Sequence, residues 1–409
     1  MGGLMLLATL VAAPLVTGGV TADGTYGTDA QTPHAYPNGV LSGQVSYADV
    51  AGGGQFSFGY NPRLTLSNAP DPITSHVAFF QVGTFGYTVR DGTEVYGFTQ
   101  AVSYGEQDYS LLSQSLTAGS TASGTGVPTQ PGQTSPDRRP VQRFISTLNA
   151  ITTASLQTLF TPRFTGGAAS SFSVGGGQGS AGRAALPLQR SGVLSLATGY
   201  QVSPLDTFSA TASGTGSITG ANQASSSVGA QLSWAHSFDP DLRGSAGVGI
   251  ALLYNASATE AAVANQVGNQ GKIFSPTGTA SLAWNVPVRA QNLSFALNGA
   301  LAPALDPFSG ATYMRGNARF TAAWTPVEDW TLTASAIGDR IVGGSLSGAF
   351  GAGGDATLTH RLSPSASAHL GVRAALVAPD HPLLTGEGPP SLWAVLAGFT
   401  ATLPGAERK

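Results

Sequence analysis

Apolar residues recur at every second position in short stretches along most of the chain. In 193–202, Leu194, Leu196, Tyr200 and Val202 share one face, with Ser195, Ala197, Gly199 and Gln201 opposite. Val228, Ala230, Leu232 and Trp234 alternate with Gly229, Gln231, Ser233 and Ala235. Leu293, Phe295, Leu297 and Leu301 alternate with Ser294, Ala296, Asn298 and Ala300, and Trp393, Val395, Ala397, Phe399 and Leu403 repeat the pattern near the C-terminus. Period 2 is the signature of a strand. The second face is small or neutral rather than charged, whereas the outer face of a soluble sandwich would carry Lys and Glu. The apolar face has no partner layer except lipid. Apolar-out and polar-in is the pattern of a transmembrane β-barrel.

The breaks between these stretches are regular. Short turns fall at Asn61-Pro62-Arg63, Arg90-Asp91-Gly92, Thr161-Pro162-Arg163, Ser203-Pro204-Leu205-Asp206, Asp239-Pro240-Asp241, Pro287-Val288-Arg289, Thr325-Pro326-Val327-Glu328 and Ser363-Pro364-Ser365. From Pro162 onward the prolines are spaced 42, 36, 47, 39 and 38 residues apart. Two membrane strands of roughly 9–11 residues with interfacial extensions, a tight turn and one longer loop give about this period. Irregular segments at 175–190, 220–223, 257–272, 305–311, 343–345 and 379–390 lie between the turns and read as outer loops. Eight turns and two chain ends on one, periplasmic, side define nine hairpins. The expected fold is all-β: an antiparallel up-and-down transmembrane barrel of about 18 strands. A continuous strand through Tyr60 and Leu64 would lower the count, with 16 as the alternative.

Aromatic positions fit the same frame. Trp234, Trp284, Trp324 and Trp330 lie within six residues of a short Pro turn, and Tyr60 and Phe160 directly precede one. Indole and phenol rings favour the headgroup layer, so these residues are expected to form an interfacial girdle.

Composition extends this reading. Only 10% of the 409 residues are charged although 42% are hydrophobic, and 55 are Gly; a soluble domain carries about 25% charge. Residues 4–16, LMLLATLVAAPLV, have the length of a signal-peptide apolar core, and Val20-Thr21-Ala22 suits cleavage after Ala22. The expected organisation is a signal peptide at 1–22, a periplasmic N-terminal segment at 23–38, a barrel at 39–404 with a long outer loop at 106–147, and a tail at 405–409. Beyond residue 22 no apolar run reaches 18 residues, which excludes an α-helical membrane protein. A net charge of −3 without a Lys/Arg run argues against a nucleic-acid partner. The absence of Cys excludes disulfides, thiol catalysis and cysteine metal sites.

Motifs for chemistry are scarce. The one GxGxxG match, Gly177 to Gly182, has neither a following helical pattern nor an acidic residue about 20 positions on. The six His residues (34, 76, 236, 360, 369, 381) show no ligand spacing, Asp239 and Asp241 read as a turn, and Glu94 and Glu260 show no pairing. No catalytic, cofactor-binding or metal residue is expected, and no cofactor. The lumen is the place for function. With Phe320, Ala322 and Trp324 facing lipid, Arg315, Asn317, Arg319 and Thr321 face inward; with Leu370, Val372, Ala374 and Leu376 outward, His369 and Arg373 face inward. An Arg on the lipid face at mid-depth would cost about 2–4 kcal/mol, which favours this assignment.

The segment YTVRDGTEVYGFTQAVSYGEQDYSLL (87–112), above all SYGEQDYSLL, and the pentapeptides YNPRL (60–64) and FTPRF (160–164) resemble outer-membrane barrels of myxobacteria and related bacteria. The resemblance runs weakly over 40–404. Some of those barrels are porin-like proteins proposed to pass secreted polysaccharide, which implies a channel without catalytic residues. The partners expected are outer-membrane lipid, polysaccharide or small polar solutes, and periplasmic export components. The competing expectation is a structural or surface-interaction barrel with a plugged lumen and partner-binding outer loops. A barrel enzyme would need a Ser/His/Asp-type set at one rim, and no motif supplies it.

Overall fold

A computed structural model describes residues 15–29, 32–51, 53–68, 76–108, 144–220, 224–256, 272–288, 291–305, 312–343, 350–378 and 391–403. They form eighteen strands and one short helix. In chain order these are β1 (Leu15–Asp29), β2 (Thr32–Ala51), β3 (Gly54–Ser67), β4 (His76–Asp91), β5 (Glu94–Asp108) and β6 (Phe144–Thr161). Next come β7 (Phe164–Gly177), helix α1 (Gly179–Ala185), β8 (Gln189–Gln201), β9 (Asp206–Thr219), β10 (Ala224–Ser237), β11 (Leu242–Ala256) and β12 (Lys272–Val288). The last are β13 (Gln291–Leu305), β14 (Thr312–Val327), β15 (Trp330–Gly343), β16 (Phe350–Ser363), β17 (Ala366–Ala378) and β18 (Ser391–Leu403). Each strand pairs antiparallel with its sequence neighbours, and β1 pairs with β18 over ten residue pairs, from Gly18↔Leu403 to Gly27↔Ala394. The sheet is therefore a closed barrel without edges. Closure is what lets strands cross hydrocarbon, because every backbone polar group finds a partner within the wall.

The faces follow the alternation of the sequence. Leu232, Val248 and Phe274 are 66%, 74% and 73% exposed. They share the outward side of neighbouring strands, Leu232 opposite Val248 and Val248 opposite Gly278. Such exposure is untenable in water for a continuous surface and natural in lipid. The girdle is also present: Trp234, Trp284, Trp324 and Trp330 lie on the outward side near the short turns. The indole of Trp234 donates to Asp206 Oδ1 (3.0 Å) and that of Trp324 to Gln291 Oε1 (3.2 Å). Trp393 lies near the loop-side end and meets Tyr26 edge-on at 6.1 Å.

Six of the eight short turns fall at or within a few residues of the places expected, and a seventh, at Pro287-Val288-Arg289, runs into 289–290, outside the described residues. The exception is Asn61-Pro62-Arg63, which is no turn. Tyr60 and Leu64 lie on the continuous strand β3, and Tyr60 donates from mid-strand to Gln81 Oε1 (2.8 Å). Pro62 lacks an N–H, so it can sit in a strand only where a ladder bond is dispensable. Its pairing with β4 is continuous, Pro62↔Gln81, whereas the β2–β3 ladder jumps from Ser42↔Arg63 to Val45↔Tyr60. The connection between β2 and β3 passes through Gly53 at φ +83°; Gly92 serves the next short turn at φ +58°. L-residues rarely adopt such angles.

The strand number nevertheless stays at 18, because the two strands before that connection begin much earlier than the sequence suggests. Residues 15–22, assigned to the signal peptide, form the first half of β1, and of 23–38, assigned to a periplasmic segment, 23–29 complete β1 and 32–38 begin β2. The sequence obscures this because the apolar core of 4–16 runs into a strand. Thr17, Gly19, Thr21 and Asp23 alternate with Val16, Gly18, Val20 and Ala22, a period overshadowed by the apolar run before it. Of the long segment 106–147, residues 106–108 and 144–147 belong to β5 and β6, and 109–143 lie outside the described residues. The expected loops at 257–271, 306–311 and 379–390, and the tail 405–409, also lie outside them.

Candidate functional site

The inner wall carries the side chains that lipid does not touch. From β6 to β12 it is built of hydroxyl and amide groups joined across strands. Ser209 and Ser233 lie 2.9 Å apart, Thr215 and Ser227 2.6 Å, Ser217 and Ser225 2.7 Å, and Ser245 and Ser281 2.6 Å. Directly opposed hydroxyl pairs add about 0.2–1 kcal/mol each to a sheet. Apart from Arg243 at the turn-side end of β11, they leave a wall of weak donors and acceptors without fixed charge among the described residues.

From β14 through β18 to β3 the wall is ionic. Arg315, Asn317, Arg319 and Thr321 lie on one face of β14. They oppose Ile341, Asp339, Ile337 and Ser335 of β15. Arg315 Nη2 reaches Asp339 Oδ2 at 3.3 Å. On β16, Asp355 accepts from Ser335 and stands opposite the buried Arg373 of β17. His369 Nε2 lies 2.9 Å from Asp23 Oδ1, although β18 runs between them. The residue in the gap is Gly398, which pairs with both. A Cβ there would collide with the Asp23 carboxylate and the His369 ring. Arg63 of β3 extends the same face.

Of the six residues expected in the lumen, four lie on β14 and two on β17, on the strand faces opposite the exposed Phe320, Trp324, Leu370 and Val372. Their acidic partners were not legible. Asp23 lies in the stretch read as signal and periplasmic segment, and Asp339 and Asp355 meet their partners only through strand register, which no local pattern encodes. Arg63 was assigned to a turn that does not exist.

Burial along the inner face is graded. On β6, Ile145, Thr147 and Asn149 are buried at the loop-side end, Ile151, Thr153 and Ser155 are half-buried, and Gln157 and Leu159 are exposed at the turn side. β7 repeats this, from buried Gly177, Gly175 and Ser173 to exposed Thr165. Two pieces narrow the loop-side mouth. One is α1, which corrects the expectation that no helix follows Gly177. Leu186, at its end, packs on Ile145, Gln178 N–H donates to Ser146 O (2.7 Å) and Gly177 N–H to Leu186 O (2.8 Å). Gly177 is needed for packing, since a Cβ would strike the Gly182 carbonyl. The other is the start of β14, where Thr312, Tyr313 and Met314 are all buried. Met314 packs on Ala251 and Leu253 of β11, although β12 and β13 separate the two strands along the wall. That contact requires the β14 start to lean across the inner surface.

Elsewhere several titratable groups have local partners. His76 lies 2.8 Å from Glu106, and His360 stacks on Trp330 at 4.3 Å. His236 and Trp234 converge on Asp206, and the Tyr96 hydroxyl donates to Glu94. Asp239 Oδ1 accepts from the backbone N–H of Asp241 (2.8 Å) and Leu242 (2.6 Å), which makes it a turn residue. His381 and Glu260 lie outside the described residues, as does the side chain of His34. A groove of about 460 Å³ lined by Leu196, Ala210, Ala212, Ala230, Leu232 and Ile250 opens on the apolar outer face.

Comparison with known proteins now bears on this barrel. The model of the EpsX exopolysaccharide export family matches residues 54–377. The chain belongs to that family. The match spans β3 to β17 and so includes the hydroxyl wall and the part of the ionic wall on β14 to β17 and β3. Among solved structures, the chain is similar to a BenF-like porin from Pseudomonas fluorescens at 10% identity, TM-score 0.46, covering 95% of this chain and 99% of that one. It is similar to OpdO from Pseudomonas aeruginosa at 9% identity, TM-score 0.46, covering 96% and 97%. It is also similar to CdiB from Acinetobacter baumannii at 9% identity, TM-score 0.46, with 95% of this chain covered but only 60% of that one. Curated protein sequences give no match. This EpsX-family chain is a porin-like β-barrel of the outer membrane.

Proposed function

We propose that this EpsX-family barrel is the conduit through which an exopolysaccharide crosses the outer membrane, and that it acts without catalysing a reaction. The observation that carries the reading is the closed 18-strand wall with a lipid-facing exterior and a hydroxyl-rich interior, in a chain of an exopolysaccharide export family. A barrel of this size has room for an aqueous lumen. A wall of Ser and Thr exchanges hydrogen bonds with sugar hydroxyls one at a time, so a chain slides without a deep trap. Arg315, Asn317, Arg319, Thr321, His369 and Arg373 line this passage and bracket the moving polymer on its ionic side. Periplasmic export components deliver the polymer to the turn-side opening, where the inner face is accessible.

Deletion of the gene is expected to abolish surface polysaccharide and to leave the polymer in the periplasm, with recovery on complementation. Undiminished secretion by the deletion strain would overturn the proposal. A second reading, a barrel whose loop-side face holds a partner while the lumen stays shut, is favoured by the burial of Ile145, Thr147 and Met314 at that mouth. It predicts normal secretion by the deletion strain and loss of a surface partner.

A further inference from the structure

Charge is sorted between the two faces of this wall. The whole chain is acidic, with 21 Asp and Glu against 18 Lys and Arg. On the inward side of the described strands the balance reverses, with seven arginines against three aspartates. Each of the three aspartates already faces an inner-wall base: Asp23 meets His369, Asp339 meets Arg315, and Asp355 stands opposite Arg373. The surplus includes Arg90, Arg243 and Arg361, one near each of three different short turns. They share the inward side with Gly97, Ser245 and His369 of the same or neighbouring strands. All three are exposed, so this part of the surplus stands in the turn-side opening, while Arg63 and Arg319 lie half-buried further along the wall. The carboxylates at this end of the strands go the other way. Asp49, Glu94 and Asp206 occupy outward positions and are held by Tyr47, Tyr96 and Trp234 of the girdle. Asp239, Asp241, Glu328 and Asp329 lie in the turns themselves, on the rim below the wall.

We propose that this arrangement makes the conduit selective for an anionic polysaccharide, one carrying carboxylate groups, which enters from the turn side past Arg90, Arg243 and Arg361. The inference rests on the conduit reading above and adds the chemical class of the cargo. Guanidinium groups pair with carboxylates in a fork geometry and stay charged at every physiological pH. Placed at the mouth of a low-dielectric wall, they raise the local concentration of an anionic chain. Beyond Arg243, the described residues of the hydroxyl wall from β6 to β12 place no Lys or Arg on the inward side.

The test is calorimetric binding of two probes of equal length, an oligogalacturonate and a neutral maltooligosaccharide, to the full-length protein in detergent. The oligogalacturonate is expected to bind at least tenfold more tightly and to weaken in 0.5 M salt. The triple variant R90Q/R243Q/R361Q is expected to lose at least tenfold of that affinity, and R90K/R243K/R361K to retain most of it, which separates charge from fold. Heat-dependent migration on gels verifies that each variant is a folded barrel. Equal binding of the neutral probe, no oligogalacturonate binding, or unchanged affinity in the Gln variant would overturn the inference. The readout does not require an open pore. Loss of anion preference therefore refutes the cargo class, while normal secretion by the deletion strain refutes the conduit.

Discussion

Gly398 shows how much a single position can decide in a barrel wall. It lets His369 and Asp23 meet across an intervening strand, so one missing Cβ joins β17 to β1 at the closing seam. Replacing Gly398 with Val is expected to break this pair and lower the yield of heat-modifiable barrel several-fold. Ala397→Val on the lipid side should leave it unchanged; equal yields would show that the pair does not help to close the seam. The facing of residues is testable in the same way. Val248 sits at the middle of β11 and Gln231 on the inner face of β10. Val248→Arg should cost about 2–4 kcal/mol in equilibrium unfolding from bilayers, and Gln231→Arg far less; the reverse order would contradict the assigned faces. At this scale the sequence was a good guide where alternation was undisturbed. The division of β14 and β17 into two faces was legible from Phe320, Trp324, Leu370 and Val372 alone. The partners Asp339, Asp355 and Asp23 were not, because they are fixed by register between residues from 18 (Asp355 and Arg373) to 346 (Asp23 and His369) positions apart.

Among the elements, β1 diverges most from what the sequence suggests. It closes the barrel against β18 and pairs with β2 along its whole length. Cleavage after Ala22 would remove the half of β1 that pairs Gly18 to Ala22 with Leu403 to Phe399. N-terminal sequencing of the protein isolated from outer membranes is therefore expected to find residues 15–22 retained, and a mature chain beginning at Asp23 would contradict the role of β1. Thr21→Pro, which removes a ladder donor from a strand paired on both sides, should prevent barrel formation. Pro62 teaches the converse lesson. Proline is a sound turn signal only where a strand cannot spare a donor, and β3 spares one toward β2. Helix α1 was missed because Gly179, Ser180 and Gly182 are poor helix formers. Its stability comes from Leu186 seated on Ile145, a tertiary contact.

At the level of the whole molecule, the architecture was legible because a barrel repeats one rule along its length: alternate faces, short turns on one side and loops on the other. The closed wall, the apolar belt and the family all point to transport. The buried loop-side mouth sets its limits. The Met314 contact with Ala251 and Leu253 and the Leu186 contact with Ile145 narrow that opening. A variant with both Leu186→Gly and Met314→Gly is therefore expected to conduct at least twice the wild-type current. The most direct test of the central claim is the single-channel current of the purified, verified barrel in planar lipid bilayers. The account predicts discrete current steps for the wild type and larger ones for the double variant. Bilayers that stay at baseline with both proteins would contradict it.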